Sequence, residues 1–421
     1  MEPRINNPTQ QKMKTKNLTT SHCRKQPNNS NCASALRITL SVSLICVSLI
    51  LFASISGAGP ADSRSQGLVM SQGELTSFTA LGKGHEVLPD FVNSRPMPLP
   101  LATGPIDMVP SLKDLGTPGF SPGAVGNGRT NPITLPLPTI SDHDGDMQGP
   151  GPDEFGTSNH PFSTARADLV TAATNTQYPY SASGKLWFQN QNNNWFVCSA
   201  SMIKRGIVVT AAHCVANYGQ STFYHNWYFY PGYRSGTAPF GVWTVYQAWI
   251  KTAYYNGTDN CAQYGVICPD DVALLILNTQ TGGYPGSQTG WYGYGWNGFG
   301  FANGLTQITQ VGYPVCLDNG QLMERNDSFG YVSGGNSSNT IIGSLMCGGS
   351  SGGPWLNNFG ISPTLTGTGH GTASNPNIVV GVTSWGYIDS TVKEQGASPF
   401  TSNNIASLVT SACNSQPTAC Q

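Results

Sequence analysis

Three stretches of the chain bring together residue types that can do chemistry. Cys198 to Cys214 reads CSASMIKRGIVVTAAHC, and its strand-like run Ile207-Val208-Val209-Thr210 delivers His213 beside a cysteine. Asp271-Val272-Ala273-Leu274-Leu275 puts an acid at the mouth of an apolar strand. Cys347-Gly348-Gly349-Ser350-Ser351-Gly352-Gly353-Pro354 sets a pair of serines among glycines. Glycine reaches positive φ without steric cost, so this run can fold into a tight turn whose N–H groups face an anion.

The elements that must position these groups are short. From about Gln177, apolar or aromatic runs recur between Gly, Asn and Pro: Gly184 to Phe188, Gly206 to Val209, Val242 to Val245, Val272 to Leu277 and Ile378 to Thr383. Strand-length runs separated by turn residues predict an all-β sandwich or barrel. One helix is expected, from Asn404 to Ser411, and no internal repeat is visible. Residues 167–421 suffice for one large β domain or two fused barrels.

Composition sets further limits. Of 421 residues only 10% are charged, and the net charge is -1. That excludes a polybasic nucleic-acid surface and an acidic tail. Fifty glycines and 29 prolines favour turns over long helices, and 11 cysteines point to an oxidising compartment. Charge also divides the chain. Residues 1–37 hold seven Lys/Arg and one acid, and Ile38 to Ala61 hold no charge. A basic stretch leading into the apolar run Leu40 to Ile55 has the layout of a secretory signal, with small residues at Ser56-Gly57-Ala58 and Gly59-Pro60-Ala61 for cleavage. The alternative is an uncleaved membrane anchor. Either one carries the remainder of the chain out of the cytosol. Residues 1–58 are therefore read as signal peptide or signal anchor.

Residues 59–166 form a Pro/Gly-rich propeptide or linker, expected to be largely disordered. Prolines alternate in Pro96-Met97-Pro98-Leu99-Pro100, which excludes a helix or a central strand. Asp142-His143-Asp144-Gly145-Asp146 has its glycine at the wrong place for an EF-hand loop and reads as acidic linker. No metal or other cofactor is expected.

Taken together, the three stretches resemble the chymotrypsin-like serine peptidases, closest in texture to secreted microbial and fungal members. TAAHC surrounds the histidine, D-[IV]-A-L the aspartate and G-x-S-G-G-P the serine, and Ser384-Trp385-Gly386 comes next in the family's order. The likeness spans about Tyr180 to Val409. It implies two six-stranded antiparallel β-barrels with a C-terminal helix, preceded by a disordered N-terminal region, with 167–421 as the protease domain. Ser351 would be the nucleophile, since a serine hydroxyl needs a base within reach. His213 would take its proton and return it to the leaving amine. Asp271 would orient the imidazole, with neighbouring Asp270 as its rival. The N–H groups of Gly349 and Ser351 would form the oxyanion hole.

The resemblance also implies the surroundings. Leu345, Met346, Ser384, Trp385 and Gly386 would bind substrate, with Leu345 at the base of the primary pocket. No carboxylate stands there for Lys or Arg, and Thr383 stands where glutamate-selective relatives commonly carry histidine. An apolar or aromatic residue before the cut is the expected preference. Cys198–Cys214 is the family bridge, and Cys261–Cys268, Cys316–Cys347 and Cys413–Cys420 are proposed for the rest, leaving Cys23, Cys32 and Cys46 in the N-terminal region. Sequons stand at Asn256, Asn326 and Asn336. Ser350 replaces the aspartate that, in animal zymogens, meets a newly cut amine, so that switch is expected to be absent and the turn held by other means. The implied partners are protein or peptide substrates and protein protease inhibitors, with no nucleic acid. A secreted monomer is expected, with membrane contact only through a retained anchor. A catalytically silent binding module on the same fold is the alternative.

Overall fold

The computed structural model describes residues 67–81, 87–103, 116–137, 153–156, 160–302, 304–332, 340–360 and 375–421. The short β-branched and aromatic runs form two closed antiparallel rings of six strands. In the first, Ser183–Gln189 pairs with Trp195–Lys204, then come Ile207–Thr210, Ala273–Leu277, Trp243–Lys251 and His225–Pro231, which returns to Ser183–Gln189. In the second, Leu305–Gly312 pairs with Glu324–Val332, then come Thr340–Gly343, Glu394–Pro399, Ile378–Tyr387 and Pro354–Asn357, which pairs back to Leu305–Gly312. Both rings take their strands in the same spatial order: first, second, third, sixth, fifth, fourth. The connectivity is repeated although the sequence is not.

Ile207–Thr210 and Ala273–Leu277 are buried along their whole length. One face of such a strand fills the ring, so the other needs a cover. The helix Ser407–Ser415 supplies it, packing Leu408, Val409 and Ala412 against Trp243–Lys251 and Ala273–Leu277. Its entry is fixed by a reciprocal cap in which Asn404 N–H donates to Thr401 Oγ1 (3.1 Å) and Thr401 N–H to Asn404 Oδ1 (2.7 Å). Aromatic side chains dominate the first ring: Trp187 meets Tyr230 at 4.8 Å and Tyr233 at 5.2 Å, both edge to face. Full burial of a large apolar side chain contributes about 1.5–3 kcal/mol.

Within the stretch 59–166, several of the described segments pair with strands of the body. Gly67–Gln72 and Leu75–Ala80 form a hairpin that extends the first sheet along Gln247 to Lys251. Arg95–Pro96, Leu101–Ala102 and Gly119–Ser121 each pair with a strand of the body. Pro161–Arg166 pairs with Glu324 to Ser328 of the second ring, and Arg166 is ion-paired with Asp318. The boundary at 166/167 thus falls at the end of a strand built into that ring. The reason is positional: proline is barred from central strands but tolerated at edges, and these segments add edges to sheets already made.

All four expected disulfides form: Cys198–Cys214, Cys261–Cys268, Cys316–Cys347 and Cys413–Cys420. Asn256 is exposed, but Asn326 is fully buried, accepting from Thr164 and donating to Gly343, so that sequon cannot carry a glycan in the folded chain. The signal or anchor, Cys23, Cys32, Cys46, Asp142 to Asp146 and Asn336 lie outside the described residues. No helix among the described residues is long and apolar enough to cross a membrane.

Candidate active site

The three chemical stretches meet between the rings. His213 lies on a short turn after Ile207–Thr210, fixed by the Cys198–Cys214 bridge. Asp271 lies just before the neighbouring strand Ala273–Leu277. Its carboxylate accepts three hydrogen bonds: from His213 N–H at 2.8 Å, from His213 Nδ1 at 2.7 Å and from Ser384 Oγ at 2.6 Å. The backbone N–H of neighbouring Asp270 donates to Asp259 Oδ2 at 3.0 Å. His213 is 5% exposed, Asp271 1% and Ser351 0%. His213 Nε2 and Ser351 Oγ are both buried and have no hydrogen-bond partner among the described residues.

The turn carrying Ser351 depends on glycine at two points. Gly349 has φ +96°, and Gly352 has φ +76° with Thr210 Oγ1 only 2.0 Å from where a β-carbon would stand. Within the turn, Ser350 N–H donates to Cys347 O and Gly353 N–H to Ser350 O, Gly352 N–H donates to Thr383 O of the neighbouring strand, and the N–H groups of Gly349 and Ser351 are outside these bonds. Ser199, on the first ring, pins the turn across the interface. Its N–H donates to Ser351 O and its Oγ to Gly349 O, both at 2.8 Å.

Beneath the turn lies a buried network without charge. Gln395 Nε2 donates to Met346 O at 2.7 Å and to Ser350 Oγ at 3.4 Å. Gln395 Oε1 accepts from Gln310 Nε2 at 2.6 Å, and Gln310 Oε1 accepts from Ser344 Oγ at 2.8 Å. Thr383 joins through Gln310 and Trp355, which places it in this network and not in a pocket wall. Fully satisfied networks of this kind rigidify what they touch. Here the network supports the turn at the position where an aspartate would otherwise be paired.

A cavity of about 480 Å³ opens beside the turn. Leu345, Met346 and Gly386 line it, together with Leu317, Tyr387 and Val392. Two expected substrate-binding side chains point elsewhere. Ser384 supports Asp271, and Trp385 is fully buried against Ile341, Tyr387 and Ala102. Lys393 and Glu394 are also part of the lining, besides Leu345 at the position where a Lys- or Arg-selective pocket would need an acid. Glu394 lies 4.0 Å from His160 Nε2, a fully buried histidine whose burial pulls its pKa down to about 4. Sequence spacing gives no signal for Ser199, Gln310, Gln395, Glu394 or His160, because each reaches the site through strand pairing over long separations.

Behind Asp271, burial first and the charge of Asp270 second push Asp259 up to about 7, and burial pushes Asp270 up to about 6. An acid with a raised folded pKa holds its proton more tightly folded than unfolded. Its contribution to stability is whole below about pH 4 and is lost as pH rises through about 7. Asp259→Asn should therefore match the parent's Tm near pH 4 and exceed it by roughly 5 °C at pH 8. The same Tm difference at both pH values would show that Asp259 is not the group that titrates.

The fold is the two-barrel, chymotrypsin-like architecture. Solved structures similar to the chain include proteases. They include a thermostable serine protease AL20 from an extremophilic microorganism (25% identity, TM-score 0.43, 53% of this chain and 93% of that one) and the protease Anisep from Arthrobacter nicotinovorans (24%, 0.43, 57% and 95%). A Glu endopeptidase in complex with MPD is also similar (17%, TM-score 0.38, 57% and 92%). No protein-family model and no curated protein matches the chain.

Proposed function

We propose that this chain is a secreted serine endopeptidase acting through His213, Asp271 and Ser351. The observation that carries the reading is a histidine held twice by one buried carboxylate, with its Nε2 and the Ser351 hydroxyl both buried and unpartnered among the described residues. Ser351 Oγ attacks the scissile carbonyl as His213 Nε2 takes its proton. The Gly349 and Ser351 N–H groups receive the developing oxyanion, one such donor being worth about 2.7–4 kcal/mol. His213 then protonates the leaving amine, and water hydrolyses the acyl-enzyme by the same steps in reverse. Asp271 holds the imidazole tautomer throughout.

Leu345, Met346 and Val392 favour an apolar or aromatic residue before the cut. In this reading residues 1–58 act as signal or anchor, and residues 59–166 as a propeptide or linker. The test is labelling with a fluorophosphonate, before and after limited proteolysis, together with a peptide series. The parent should be labelled and Ser351→Ala should not, and peptides with Phe, Tyr or Leu should outrun those with Arg, Lys or Glu. Equal labelling of both proteins would rule out the nucleophile. A strong preference for Arg would move specificity to Glu394.

A further inference from the structure

The cleft beside Ser351 is crossed by the chain's own residues 95–103. Arg95 and Pro96 pair in parallel with Phe196 and Val197 of the first ring, and Met97 N–H donates to Val197 O at 2.9 Å. The segment then passes the nucleophile's turn. A β-carbon on Gly348 would stand 3.3 Å from Pro96 and 3.4 Å from Met97 O. Beyond it, Leu101 and Ala102 pair in parallel with Gly386 and Tyr387 of the second ring. Gly386 N–H donates to Pro100 O at 3.0 Å and Ile388 N–H to Ala102 O at 3.1 Å. Pro98, Leu99 and Leu101 form one wall of the specificity cavity, and Ala102, 1% exposed, packs on Trp385.

We propose that residues 95–103 are a strand-like inhibitor in cis, occupying the sheet edge and the apolar cavity that a peptide substrate needs. This rests on the peptidase reading and names the ligand that fills the cleft of the uncut chain. The chemistry suits the task. An extended peptide adds to a sheet edge through main-chain hydrogen bonds, with alternate side chains in pockets. Proline at 96, 98 and 100 fixes φ near the extended range in advance, which lowers the entropy lost on docking. It also removes N–H groups from the segment, while the carbonyls of Pro100 and Ala102 remain to meet the edge donors. Arg95–Pro96, Met97–Pro98 and Leu99–Pro100 are bonds to a ring nitrogen, so every second bond of this stretch is a tertiary amide and a poor substrate for cleavage. The proline alternation that argues against a core strand is what a preformed strap requires.

The test reads the edge directly. In the full-length protein, amide hydrogen exchange at Gly386 and Ile388 should be slow. In a Leu99→Asp, Ala102→Asp double variant it should be faster by about 100-fold, and cleavage of a fluorogenic peptide should rise by about 10- to 100-fold, because Leu99 and Ala102 are buried and charged side chains cannot be accommodated there. A synthetic peptide of residues 95–103, added to the double variant, should restore protection and inhibit. The proposal fails where Gly386 and Ile388 exchange as fast in the parent as in the variant, or where parent and variant cleave peptide at the same measurable rate. Amides that open in the variant, with no cleavage by either form, would support the docking and overturn the peptidase reading instead.

Discussion

Asp271→Asn should lower kcat on a peptide substrate by about 10,000-fold with little change in KM, in the parent and in the strap-opened background alike. The carboxylate is an acceptor to all three of its neighbours: His213 N–H, His213 Nδ1 and Ser384 Oγ. Asparagine has the same shape but carries a donor on one arm. That arm cannot accept from Nδ1–H, so the imidazole turns to the tautomer with its proton on Nε2 and can no longer take one from Ser351. The loss belongs to the transition state, which is why kcat falls and KM does not. A variant that keeps more than a tenth of parental kcat would show that Asp271 holds His213 in place without governing its proton.

Gln395→Glu is expected to reduce kcat/KM by about 10- to 100-fold at pH 8 and to give the pH profile a new descending limb. Gln395 is 2% exposed and uses its amide N–H to hold Met346 O and Ser350 Oγ. A protonated glutamic acid can still donate to Met346 O. An ionised one faces that carbonyl with an acceptor, and a buried group left unsatisfied costs about 1–3 kcal/mol. Burial raises the carboxyl's pKa, so support for the turn is whole at low pH and is lost as pH rises through that value. A uniform loss across pH would mean Gln395 is only packed there; the descending limb is the signature of a positioning role.

The local parts of the site were legible in the sequence because they are written contiguously. His213 sits inside TAAHC, Asp271 opens an apolar strand, and Ser351 is framed by glycines whose positive φ the turn requires. Two cysteine bridges span separations of only seven residues, where nearness along the chain suggests the partner. What could not be read was everything set by register. Gln310 and Gln395 are 85 residues apart and meet only because their strands enclose the same ring. Trp385 adjoins Gly386, which lines the cavity, yet its side chain goes to the interior. The segment 59–166 was hardest, since edge strands rich in proline have the composition of disorder and gain order only from a sheet already present.

The two rings contribute unequally to the chemistry, and this has a consequence for biosynthesis. His213 and Asp271 belong to the first ring and Ser351 to the second, joined by the Ser199 pins. A chain synthesised only as far as the end of Ala273–Leu277 holds every strand of the first ring and the proposed base and acid, but not the proposed nucleophile. The inhibitory segment, residues 95–103, has by then already left the ribosome, and half of its docking edge, Phe196 and Val197, is in place. The order of translation thus delivers the restraint before the hazard: at no stage of elongation is there a reactive serine without the strap that covers it.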